Sequence, residues 1–148
     1  MKETIEKLQK LTLKAEEYFQ TISTEALEYR PDRQKWSKKE VLGHLIDSGI
    51  NNLQRFTEIE FGQKPFPIRK YNQNELGIAN DYQNAEIQEI LTFWLAVSRQ
   101  IENVMARQTP EALSSEVLID NSQIETLEFL MKVLCQSSGT TSFSNIRR

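Results

Sequence analysis

The chain has 148 residues, of which 39% are hydrophobic and 26% are charged, with only five glycines and four prolines. A chain of this length suits one domain with its own core, and this composition is typical of an ordered, helix-rich protein. Its 18 basic and 21 acidic side chains give a net charge of −3, which excludes the broad cationic surface that would attract nucleic acid or an anionic membrane.

Two helices are predicted in the first part of the sequence. From Glu3 to about Ser23, apolar residues recur at steps of three and four, which is the spacing of one buried helical stripe. The second helix is predicted to begin after Ser37, because Ser37 and Glu40 have the spacing of a capping box. Its apolar stripe continues to near Gly62.

A long crossover, from Gly62 to Gln83, is predicted to connect helices two and three. The segment is rich in proline, glycine and asparagine, which are residues of turns and loops. Connections of this length are uncommon in compact domains and usually have a function. Its aromatic residues Phe66, Tyr71 and Tyr82 are expected to fold over an open end of the helical bundle.

The third and fourth helices are predicted in the second half of the chain. A wide apolar face makes the segment at about 84–108 the clearest helix of the sequence. An irregular stretch begins with Thr109, and the fourth helix is predicted to run from near Asn121 or Ser122 to about Gln136.

These four amphipathic helices, with no strand pattern, predict an all-α fold, a four-helix bundle with a long crossover between helices two and three. We expect one domain over residues 1–136 and a poorly ordered tail over 137–148, because the tail is polar and unpatterned. The single cysteine, Cys135, cannot form an intrachain disulfide, and we find neither a secretory leader nor an apolar run of about 20 residues. We therefore expect a soluble, cytoplasmic protein.

The residues that could carry chemistry lie on one side of the second helix. His44 is the only histidine. At helical spacing it shares a side with five polar residues, Glu40, Asp47, Ser48, Asn51 and Arg55. One interpretation is a solvated face with a Glu–His and an Asn–Arg pair. The other is a ligand or substrate pocket in which Asp47 orients the imidazole on a metal. Spacing alone leaves both open.

The segment W-S-K-K-E-V-L-G-H-L-I-D-S-G-I-N-N-L-Q-R-F, Trp36 to Phe56, resembles the first signature of the DinB/YfiT-like superfamily. Tyr29-Arg30-Pro31, Tyr71 and the T-L-x-x-L pattern at Thr126 also look like this family. The resemblance therefore extends over roughly residues 1–132.

This resemblance implies a four-helix bundle that holds a divalent metal, zinc or nickel, with three histidines. It makes His44 the first metal ligand and Asp47 its orienting carboxylate, and it places Asn51, Arg55 and Tyr71 near a substrate. A three-nitrogen site with open positions can activate water or a thiol, so hydrolysis and thiol transfer are both natural reactions for it.

The sequence departs from the family where the other two ligands belong. The family's H-x-x-x-H motif on the last helix is missing, and after Lys132 the chain reads V-L-C-Q-S-S-G-T-T-S-F-S-N-I-R-R. His44 is the one family ligand that survives, and one imidazole cannot hold a divalent metal in a specific site. Cys135 is predicted to be a plain buried thiol. Ordinary divergence and a shifted reading frame, which would restore an H-x-x-x-H pattern, are both compatible with the tail.

Two functions are compatible with the sequence. The first is a metal-dependent hydrolase or thiol transferase scaffold, acting on a small molecule, whose three-histidine site is incomplete. The second is a non-catalytic bundle that binds a small ligand or has a structural role. A homodimer is expected in either case, because the short fourth helix leaves apolar surface for a second copy to cover.

Overall fold

A computed structural model of the chain describes residues 1–120 and 122–137. Within these residues the helices are α1 (Lys2–Thr21), α2 (Thr24–Glu28), α3 (Lys38–Glu58), α4 (Gln73–Asn80), α5 (Ile87–Ala106), α6 (Pro110–Leu113) and α7 (Leu127–Ser137), with one turn of 3-10 helix (Tyr82–Asn84). The strands are β1 (Phe66–Pro67), β2 (Glu116–Leu118) and β3 (Ile124–Thr126). None of the described helices is long and apolar enough to cross a membrane.

The long helices α1, α3, α5 and α7 form the predicted four-helix bundle. Helix α3 packs along α5, and α1 packs against both α5 and α7. Their apolar stripes meet in two buried clusters. One cluster is centred on Phe56, Ile101 and Met131, and the other on Phe19 and Ile46. The amphipathic patterns in the sequence therefore identified the elements that make the core.

The start of α3 has the local structure that its sequence predicts. Ser37 Oγ accepts a hydrogen bond from the Glu40 backbone N–H at 3.1 Å, and Glu40 Oε2 accepts one from the Ser37 N–H at 2.8 Å. This capping box satisfies two donors that would otherwise lack partners at the first turn. It fixes where α3 begins, and thereby which residues of α3 face the rest of the fold.

The expectation of no strands was wrong. β1 pairs with β2 in parallel, and β2 pairs with β3 in an antiparallel ladder. Strands of two or three residues are too short to show the alternating pattern by which strands are recognised. The predicted start of the last helix near Asn121 or Ser122 was wrong for the same reason. Residues 124–126 are held by β2, and α7 begins only at Leu127.

The predicted crossover is also more regular than expected. It contains β1, α4 and the 3-10 turn, and Asn72 caps α4 by accepting a hydrogen bond from the Glu75 N–H at 3.2 Å. Asp81 ends α4 in the left-handed region, at φ 49°, a conformation that Asp adopts more readily than most residues. The short helix α6 likewise lies in a stretch predicted to be irregular, and α2 lies between the first two predicted helices. The predicted disorder of the tail concerns residues outside the described part, apart from Ser137.

We expect that replacing Gly43 with alanine destabilises the fold. An added Cβ would overlap the ring of Tyr82, and overpacking of this kind costs about 1–3 kcal/mol. Gly77 in α4 is the matched control, because a Cβ there meets nothing within 4 Å and Gly→Ala inside a helix stabilises by about 0.5–1 kcal/mol. Urea unfolding of Gly43→Ala and Gly77→Ala should give changes of opposite sign. Equal stability of Gly43→Ala and the parent would contradict the packing described here.

Candidate ligand-binding site

The polar side of α3 is only partly a solvated face. Asp47 is 4% exposed and Asn51 is 9% exposed, whereas His44 and Arg55 are half-buried. Asn51 uses its side-chain amide to donate a hydrogen bond to the Asp47 carbonyl at 2.8 Å. The interpretation of this side as a solvated face was therefore wrong for Asp47 and Asn51, which lie in the interior.

The buried carboxylate of Asp47 is held by the crossover. Its Oδ1 accepts hydrogen bonds from the Tyr82 hydroxyl at 2.7 Å and from Asn80 Nδ2 at 2.9 Å, and Asn80 also donates to the Tyr82 oxygen at 3.2 Å. Its Oδ2 is buried and has no partner among the described residues. Burial raises the pKa of Asp47, and the bonds from Tyr82 and Asn80 and the nearby His44 oppose this rise. Oδ1 thus accepts two hydrogen bonds, whereas Oδ2 has no donor among the described residues.

The ring of His44 lies against Trp36, with the ring centroids 5.0 Å apart. Burial lowers the pKa of His44, and the charge of Asp47 opposes this effect. The Nδ1 atom is buried without a partner among the described residues. The suggested Glu–His pair does not form, because Glu40 accepts a hydrogen bond from Arg30 Nε at 2.8 Å and completes the cap at Ser37. Asp47 acts on His44 through its charge, while its hydrogen bonds go elsewhere.

Arg55 lies two turns after Asp47 on α3 and holds the loop after β1. Its guanidinium donates to the Arg69 carbonyl at 2.7 Å and lies over the ring of Tyr71, 5.8 Å from the centroid. The Asn–Arg pair exists, but its amide is Asn52 at 3.3 Å and not Asn51. Burial is the main cause that lowers the pKa of Arg55. Arg55 therefore helps to hold Tyr71 in place in the loop after β1.

An open pocket of about 480 Å³ lies between α3, α4 and the loop after β1. Its lining consists of Asp47, Ile50, Asn51, Gln54, Arg69, Lys70, Tyr71, Leu76 and Asn80. A smaller groove of about 130 Å³ adjoins it, and Asn51, Gln54 and Arg69 line both spaces. Of the residues singled out in the sequence, Asp47, Asn51 and Tyr71 line the pocket. Arg55 lines the groove, and His44 lines neither.

Several residues of the site were not identified from the sequence. Asn80, Arg69 and Lys70 line the pocket, and Tyr82 supplies the shortest contact to Asp47. Tyr82 was expected over an open end of the bundle, but it is 7% exposed and packs on Gly43 in the core. Its distance from Asp47 along the chain, 35 residues, leaves no local signal for the pairing.

The donor set of this region does not fit a divalent metal. Among residues 1–120 and 122–137, no three His, Cys, Asp or Glu side chains lie close enough to hold one. The site has His44 and Asp47, but Asp47 Oδ1 already accepts two hydrogen bonds. A specific site for zinc or nickel needs three or more donors of this kind. The three-histidine chemistry of the resembling family therefore has no matching set here.

Cys135 is a buried thiol, as predicted. It is 6% exposed on α7, and burial raises its pKa to about 11. A thiol with a raised pKa carries little thiolate at neutral pH, and the thiolate is the form that binds metals and reacts. Cys135 is thus a residue of the core.

Comparison with known proteins gave a family and a fold. Residues 7–136 match the family model of the DinB superfamily. Among solved structures, the chain is similar to YfiT from Bacillus subtilis, which is described as a probable metal-dependent hydrolase with an unusual four-helix bundle topology. The TM-score is 0.84 at 17% sequence identity, and the alignment covers 98% of this chain and 84% of YfiT. The search of curated proteins gave no match.

Loss of the Tyr82 hydroxyl should destabilise the protein. In Tyr82→Phe, the buried carboxylate of Asp47 loses one of the two donors to its Oδ1, and removing one partner of a buried polar group costs about 1–3 kcal/mol. Tyr29→Phe is the matched control, because Tyr29 is 65% exposed and surface changes stay within about 0.5 kcal/mol. Urea unfolding at neutral pH measures both. Similar stabilities of the two variants would show that the hydroxyl contributes nothing.

Proposed function

Because the chain belongs to the DinB superfamily, we propose that it is a scaffold of the metal-dependent hydrolase or thiol transferase kind whose three-histidine site is incomplete. In this proposal its function is to bind a small organic molecule in the pocket at Asp47. The likeness to YfiT supports the scaffold. The donor set around His44 supports an incomplete metal site.

The observation that carries this proposal is the state of the Asp47 carboxylate. Native proteins satisfy nearly all buried polar atoms, and an unsatisfied one costs about 1–3 kcal/mol. Asp47 nevertheless lines a pocket with an unpaired buried oxygen while its other oxygen makes two bonds. A ligand with a hydrogen-bond donor would compensate this carboxylate, which Tyr82 and Asn80 already hold in place at the pocket.

A metal-dependent hydrolase, the description given to YfiT, is the second candidate. The unpaired, buried Nδ1 of His44 favours it. The lowered pKa of His44 keeps the imidazole neutral near pH 7, which is the form that binds metals. This candidate requires further ligands beyond the described groups.

Metal analysis separates the two candidates. We expect protein purified without chelators and incubated with zinc or nickel to retain well under one equivalent of metal after desalting, because two donors hold a divalent ion weakly. His44→Ala should retain the same small amount. One equivalent in the parent protein that is lost in His44→Ala would instead support the metal-dependent enzyme.

Ligand binding itself can be tested with a panel of charged and polar metabolites. We expect a subset to shift the backbone amide resonances of Asn51 and Tyr71 in ¹H–¹⁵N spectra, and EDTA should not alter these shifts. Asp47→Asn, which keeps the shape of the side chain, should abolish them, whereas Glu86→Gln at the N-terminus of α5, which does not line the pocket, should not. A panel that leaves both resonances unmoved would count against the proposed function.

A further inference from the structure

The charges around the pocket are separated along α3. Asp47 lines the pocket and lies eight residues before Arg55, which lines the groove. Arg69 lines both spaces and Lys70 lines the pocket, and we call Arg55, Arg69 and Lys70 the cationic end. The ion pairs of the described residues join other cations, Lys7 with Glu3, Arg30 with Glu40, Lys39 with Glu28 and Lys132 with Glu128. None of these four pairs includes Arg55, Arg69 or Lys70. Glu58 places one negative charge at the groove, where its carboxylate accepts a hydrogen bond from Gln54 at 2.7 Å, and Asp120 interacts electrostatically with Lys70. Three cations against these two carboxylates leave the cationic end with a positive balance.

Arg55 and Arg69 form the inner part of this cationic end. The bond from Arg55 Nη2 to the Arg69 carbonyl brings the two residues together, and the charge of Arg69 adds to burial in lowering the pKa of Arg55. Arg55 has five N–H donors, and its bonds to Asn52 and Arg69 use only part of them. Arg55 therefore keeps donors for a carboxylate or phosphate, and the positive charge of Arg69 favours an anion beside it.

The charged residues line two adjoining spaces. Asp47, Asn51 and Arg55 are spaced at steps of four on one face of α3, and eight residues of helix span about 12 Å. The pocket and the groove share Asn51, Gln54 and Arg69 as lining residues. Between the charged ends, the wall includes the apolar side chains of Ile50 and Leu76. A ligand that fits must carry a cation, a short apolar body and an anion.

We propose that the pocket binds a zwitterionic small molecule. Its ammonium group pairs with the carboxylate of Asp47, and its carboxylate or phosphate binds to Arg55 and Arg69. Its short apolar chain lies against Ile50 and Leu76, and a chain of about six atoms is the first length to test because eight residues of helix separate Asp47 from Arg55. This inference rests on the proposed function and adds the class of ligand to it.

Four probes of equal chain length test the inference. They are 6-aminohexanoate and 6-aminohexyl phosphate, which carry both charges, and hexanoate and hexylamine, which carry one. Titrations followed by the amide shifts of Asn51 and Tyr71 give each dissociation constant. We expect both single-charge probes to bind at least about tenfold more weakly than the tighter zwitterion, because each lacks one charged contact. The tighter zwitterion also identifies the anion as carboxylate or phosphate.

Charge-removing variants assign each end of the ligand. Asp47→Asn should weaken the zwitterions and hexylamine by about tenfold and leave hexanoate unchanged. Arg69→Gln should weaken the zwitterions and hexanoate and leave hexylamine unchanged. Arg107→Gln, an exposed arginine at the end of α5, is the control and should change none. A merely structural defect would weaken every probe alike.

Three results would overturn the zwitterion inference. These are a single-charge probe that binds as tightly as the zwitterions, variants that weaken all probes equally, and no amide shift with any of the four probes. In each case the metabolite panel tests the proposed function independently of the zwitterion inference. A panel compound that binds at Asp47 would leave the proposed function standing without this ligand class.

Discussion

The hydrogen bond from the Tyr82 hydroxyl to Asp47 Oδ1 joins the crossover to the bundle, and the pocket depends on it. Burying a carboxylate is unfavourable unless hydrogen bonds compensate for lost hydration, and Tyr82 and Asn80 supply two of them. Tyr82 reaches Asp47 only because Gly43, one turn earlier on α3, has no side chain where the tyrosine ring lies. Asp47, Tyr82 and Gly43 thus form one packed unit that holds the segment after α4 against α3.

That unit also explains why the pocket exists. Helix α4 has no buried residue of its own, so its contact with α3 depends on two residues at and just beyond its C-terminal end, Asn80 and Tyr82. On the other side, Arg55 holds the loop after β1 through the Arg69 carbonyl and the Tyr71 ring. The space between these two attachments is the pocket. The same carboxylate therefore anchors the crossover through Oδ1, while its Oδ2 is buried without a partner among the described residues.

The parts of the fold that the sequence predicted are those with local signals. The capping box at Ser37 and the apolar stripes of the four long helices need only neighbours within a few residues, and all are present. The strands could not be predicted, because Phe66 and Val117 pair across 51 residues and each strand is too short for a pattern. The site divides in the same way. The helical spacing on α3 identified Asp47, Asn51 and Arg55 as candidate site residues. The partners of Asp47 and Arg55, which are Tyr82 and Arg69, come from the crossover.

The charges and donor groups of the site limit which ligands this DinB scaffold, with only one of the family's histidines, can bind. A divalent ion near His44 and Asp47 would gain one imidazole and one shared carboxylate, which are too few donors for a specific site. In the proposed complex, a zwitterion would need no such donor set, because its ammonium would pair with Asp47 and its anion with Arg55 and Arg69. The absence of the family's H-x-x-x-H motif is therefore physically compatible with the binding function that we propose.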